Sequence, residues 1–215
     1  MSGIPRSAGI GLMVYGLGTF VAFAASGSPG GDYETSLVPD YIASSHWVAA
    51  WALWYAGALC AVGLLYAGAG LRRSGGLLGE VLWGLAVAGT ATSVVGAFVS
   101  GGVDVAMAEG GRSVQTGVPH PAVYLVTEIG NLLAVCSPAL LVGVGAILLA
   151  ARTPMPRWLR WFTGFAGVCG VLAPFFFTLF VYVLWTVVAG VAVLVAAGRA
   201  EARTADVGYR IGAGT

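Results

Sequence analysis

Between Trp161 and Gly198 the chain runs for 38 residues without one charged side chain. A helix made from such a stretch is apolar all round and has no face to give to water. As one helix it would be about 57 Å long, nearly twice the ~30 Å hydrocarbon core of a bilayer. Pro174 interrupts it in LAPFFF, and an interior proline breaks or kinks a helix. The stretch therefore reads as two membrane spans, near 157–174 and 177–198, with a re-entrant pair as the alternative.

Four more apolar runs are long enough to cross, near 8–25, 45–70, 78–101 and 121–150. The composition agrees. Only 9% of residues are charged and 58% are hydrophobic, against about 25% charged in soluble domains. Nineteen charges (ten basic and nine acidic) cannot cover a soluble surface of this size. The expected fold class is all-α, a polytopic transmembrane helical bundle of six spans in a single domain over 1–215. MSGIPRSAG has no small-residue cleavage pattern, so the first run reads as a retained span.

Arginine placement orients the bundle. With six spans and both termini cytoplasmic, Arg6, Arg72, Arg73, Arg152, Arg157, Arg160, Arg199, Arg203 and Arg210 lie inside, and only Arg112 lies outside. Five spans would carry the last three outside, so the charge rule supports dividing the long stretch. The polar connections 26–44 and 102–120 then read as outer loops, and the inner loops RRSGG and RTPMPR are short. The expected location is the plasma membrane of a prokaryotic cell.

Several chemistries are excluded. All ten basic residues are arginine, so neither a Schiff-base lysine nor a P-loop lysine exists. A net charge of +1 gives no drive toward nucleic acid. Cys60, Cys136 and Cys169 sit inside apolar runs without CxxC or metal spacing, and read as packing residues. There is no GxSxG, HExxH or Walker pattern.

The residues that stand out are polar groups at the outer ends of spans. Glu128 lies about 10 Å into the fourth span, where an ionisable group is costly and faces the bundle interior or a wet cavity. Tyr124 and Asn131 share its helix face at i−4 and i+3. Ser93, Ser100 and Asp104 form one face of the third span. These residues serve either as a packing seam or as a polar strip, and the candidate polar site is Glu128, Asp104, Asn131, Tyr124 and Ser100. His46 and His120 stand at outer helix ends, where paired histidines could ligate haem; no metal site is expected. Trp47, Trp51 and Trp54 read as an outer aromatic belt or packing surface, with a ligand-pocket wall as the other reading.

Three segments carry a resemblance: SSHWVAAW opening the second span, GLLYAGAGLRR closing it, and RTPMPRWLRW joining the fourth to the fifth. In these the chain resembles an uncharacterised group of small six-span integral membrane proteins of high-GC bacteria. The resemblance implies the six-span architecture and transfers no catalytic residue. The expected function is a small transport, binding or accessory subunit with an outer-leaflet polar site. The alternative is a membrane enzyme or haem-binding electron carrier acting on a lipid-soluble substrate. Expected partners are the lipid bilayer, an apolar small-molecule ligand, and copies of itself or other subunits in a homo- or hetero-oligomer.

Overall fold

The structure, a computed structural model, describes residues 4–27, 29, 37–43, 46–73, 76–175 and 178–212, with side chains as far as 202. Every regular element among them is helical: α1 (Arg6–Ser26), α2 (Leu37–Ala43), α3 (Trp47–Ala61), α4 (Gly63–Arg72), α5 (Gly76–Gly117), α6 (His120–Asn131), α7 (Ser137–Arg152), α8 (Arg157–Val171) and α9 (Leu179–Gly212). Five stretches are long and apolar enough to cross a membrane: α1, α3 with α4, α5, α6 through α7, and the Leu179–Ala202 part of α9. The sixth leg, α8, has 15 residues, about 22 Å of helix.

The legs close into a ring. Each packs on its neighbours in the chain, and α9 returns against α1. The surface is inverted relative to a soluble protein. Ile10, Val14, Leu17 and Val21 point outward along α1, and Phe180, Leu184, Val191 and Val195 do so along α9. Alanines fill the inside, with Ala61, Ala139, Ala166 and Ala173 fully enclosed. Small residues let helices approach where water supplies no drive to associate. This is an integral membrane type of architecture. The long charge-free stretch divides as expected at Pro174, which lies in a 3-10 turn over Ala173–Phe175.

Two expected loops need correction. Residues 102–120 do not form an outer loop, because α5 runs on through them to Gly117. The composition there is polar, but its buried positions keep helical spacing. The one break is Gly111, with φ 54° and ψ −148°, a conformation that suits only glycine. Gln115 Nε2 donates to the Met107 carbonyl across it (3.1 Å). In the 26–44 connection, Leu37–Ala43 is helical, and Val38 and Tyr41 pack on Trp47, Met107 and Val123. Asp32 and Glu34 of that connection lie outside the described residues.

The fourth leg carries a local irregularity with a clear cause. Between α6 and α7, Leu132–Cys136 form a π-helical turn just before Pro138. Proline has no N–H to give the carbonyl four residues earlier, that of Ala134. Ser93 Oγ on α5 donates to it instead (3.0 Å). At a break between α3 and α4, Thr90 Oγ1 shares its proton between the Ala86 carbonyl of its own helix (2.9 Å) and the Ala61 carbonyl (3.3 Å). Backbone carbonyls freed inside an apolar bundle need such partners.

Candidate functional site

The polar cluster is set by where α5 and α6 cross. A Cβ on Gly96 would lie 2.6 Å from the Gly130 carbonyl oxygen, so the crossing requires glycine on α5. A Cβ on Gly130 would strike the Ser100 hydroxyl. This approach brings the Ser93–Ser100–Asp104 face of α5 against the Thr127–Asn131 face of α6. All five side chains are buried, four of them completely.

Ser100 Oγ lies 3.4 Å from both the Thr127 carbonyl and Asn131 Oδ1. Asn131 Nδ2 reaches the carbonyl of Pro29 (3.5 Å). These are long hydrogen bonds of modest strength. The stronger one is nearer the Gly117 end of α5, where Tyr41 Oη donates to Asp104 Oδ1. Tyr41 also meets Trp47 edge to face, with ring centroids 5.1 Å apart. Asp104 Oδ2 is enclosed and has no hydrogen-bond partner among the described residues. Asp104 is 28 residues up α5 from Gly76, or about 42 Å, beyond the ~30 Å of a hydrocarbon core.

The five expected polar-site residues therefore divide. Ser100, Asn131 and Asp104 face the same α5–α6 contact. Tyr124 is partly buried against the Val38–Tyr41 cluster. Glu128 is only half-buried, on the flank of the α6 face that encloses Thr127 and Asn131. The fully enclosed carboxyl is thus Asp104, on the expected helical face it shares with Ser93 and Ser100. His46 and His120 are both exposed, at the starts of α3 and α6. Among the described residues no group of three His, Cys, Asp or Glu side chains could hold a metal ion. The three cysteines are free. The tryptophan stripe splits: Trp47 and Trp54 are buried, while Trp51 is exposed and stacks on Tyr55.

Sequence reading missed Tyr41, Thr127 and the Pro29 carbonyl. The i, i+3, i+4 spacing of Val38, Tyr41 and Ile42 is an amphipathic signal for α2. Nothing local to Tyr41 announces a contact 63 residues away.

Chemically, the cluster offers one enclosed carboxyl with a free oxygen, a phenol, an amide and hydroxyls. It contains no nucleophile–base pair of the kind that covalent catalysis uses. Fold and cluster together define an all-helical protein of membrane type with a closed polar site at one end of its ring. No known protein family, curated protein or solved structure matches the chain.

Proposed function

We propose that the chain is a six-span protein of the prokaryotic plasma membrane, with both termini cytoplasmic, that serves as a small binding, transport or accessory subunit. Its site is the outer-leaflet polar cluster centred on Asp104. The observation that carries this reading is the enclosed, unpartnered Asp104 Oδ2. A buried acceptor without a donor is costly to keep, and native structures pair nearly all such atoms. The occupant that suits it is a small cation or a hydrogen-bond donor, held beside the Tyr41 phenol and sealed from water by α2. Six crossings are supported by the arginine distribution and by the packing of α8 against both α7 and α9.

The test is thermal unfolding of the purified protein in detergent, followed by circular dichroism, with sodium, potassium or methylammonium chloride against choline chloride. One of the small cations raises the melting temperature of the wild type. Asp104→Asn removes that rise, and Ser113→Ala, at an exposed position, retains it. Identical responses in wild type and Asp104→Asn would overturn the reading, as would a wild type that answers to none of the salts.

A further inference from the structure

At the end of the ring opposite Asp104, the six legs do not meet. They line a partly open cavity of about 210 Å³. All of them contribute to its wall, among them Leu12, Leu64, Ala86, Ala146 and Ala189. The wall is almost wholly aliphatic. An engineered apolar cavity of about 150 Å³ stays dry and takes up benzene; this one is larger and mostly apolar, so its natural occupant is a hydrocarbon group. On α7 the lining runs from Val142 to Leu149, about 10 Å along the axis, or a third of a ~30 Å hydrocarbon core.

Two polar features bracket it. Deep inside, Trp185 Nε1 donates to Thr163 Oγ1 (3.1 Å), so those groups satisfy each other. At the mouth, Thr153 Oγ1 is enclosed and has no partner among the described residues. Around the mouth the charge is one-sided. The two described carboxylates at this end, Glu201 and Glu80, are taken by Arg6 and Arg72. Arg73, Arg152, Arg157 and Arg160 are exposed and make no ion pair among the described residues. The last three directly flank Thr153 and Leu159 of the cavity wall. Trp158 and Trp161, both exposed on the first turns of α8, suit the headgroup level of a bilayer.

We infer that this cavity holds one acyl chain of an anionic phospholipid, with its headgroup phosphate among Arg73, Arg152, Arg157 and Arg160. The chain is supplied by the bilayer, since the exposed arginines, Trp158 and Trp161 around the mouth suit headgroup depth. Guanidinium forks match phosphate oxygens in pairs, which selects an anionic over a zwitterionic headgroup. The site is independent of the polar cluster at Asp104.

Native mass spectrometry of the full chain, released from nanodiscs of equal phosphatidylglycerol and phosphatidylcholine, tests it. The wild type keeps one phosphatidylglycerol per chain. Ala189→Phe fills the cavity and lowers that retention roughly tenfold, with helical content and elution unchanged. Arg152→Gln with Arg157→Gln keeps a lipid but loses the preference for phosphatidylglycerol. A wild type that sheds all lipid overturns the proposal without any variant. So does a folded Ala189→Phe chain that retains lipid like the wild type, which would make the lipid merely peripheral. Equal retention of the two lipids by the wild type overturns the headgroup assignment. Should Ala189→Phe fail to fold, Leu12→Trp fills the cavity from α1 and is read in the same way.

Discussion

Asp104 has one oxygen paired with Tyr41 and the other enclosed without a partner, so substitutions around it have unequal costs. Tyr41→Phe leaves both oxygens buried without a donor and is expected to cost about 1–3 kcal/mol of unfolding free energy. Adding Asp104→Leu to it removes the stranded acceptor, so the double variant is expected to be more stable than Tyr41→Phe alone. Chemical unfolding in detergent micelles measures both; a double variant less stable than the single one would show that the pair is not an isolated unit. Gly96 is a second sensitive position. A methyl group there meets the Gly130 and Ala134 backbone, where nothing can rotate away, and Gly96→Ala is expected to cost about 1–3 kcal/mol by overpacking. The sequence displayed part of this. The shared face of Ser93, Ser100 and Asp104 followed from helical spacing alone. The face of Tyr124, Glu128 and Asn131 followed only in part, because a residue at the edge of a helical stripe is placed by its neighbours, and Glu128 fell on the outer side of that edge.

Among elements, the π-turn before Pro138 shows how an irregular backbone is accommodated across helices. Ser93 Oγ occupies a carbonyl that proline leaves without its α-helical partner. Hydrogen bonds of this kind inside membrane proteins contribute about 0.6 kcal/mol on average and up to ~1.7. Ser93→Ala is expected to cost an amount in that range. In a Pro138→Ala background residue 138 can supply its own N–H, and the same substitution is expected to cost less. A double-mutant cycle of unfolding free energies measures the coupling; equal costs in the two backgrounds would remove proline as the cause. Elements bounded by apolar runs were legible, since α1 and the α6–α7 leg end within two residues of their expected limits. The C-terminal part of α5 was not. Polar composition there signals a loop, yet packing against α6 and α2 keeps it helical, and only Gly111 departs from helical geometry. Tertiary contact overrode local composition, and no feature of residues 102–117 taken alone reveals the partner that does so.

For the whole molecule, the decisive contact is a weak one. Arg6 and Glu201 form an ion pair at 2.6 Å, both more than half exposed. Such surface pairs contribute between nothing and ~1 kcal/mol, so its meaning is positional: the start of α1 and the end of the crossing part of α9 lie at the same end of the ring. An even number of crossings would satisfy this, and beside the five stretches that are long and apolar enough, the proposed sixth is α8. Its 15 residues cover about 22 Å, and a short apolar stretch is accommodated by local thinning or by flanking side chains that reach the interface; Arg157, Trp158 and Trp161 stand at that position. A fluorescent reporter fused after Thr215 is therefore expected to be active on the cytoplasmic side, and a secreted phosphatase fused at the same point inactive. Fused after Gly117, between α5 and α6, the two reporters are expected to exchange their behaviour. Were α8 to lie along the membrane surface while α9 crosses, the C-terminal fusions would report the opposite side, and Arg199, Arg203 and Arg210 would sit outside against the positive-inside bias. Placing Glu in all three of those positions tests the cause as well as the outcome: the six basic residues Arg6, Arg72, Arg73, Arg152, Arg157 and Arg160 still outnumber Arg112, so the reporters are expected to keep their sides.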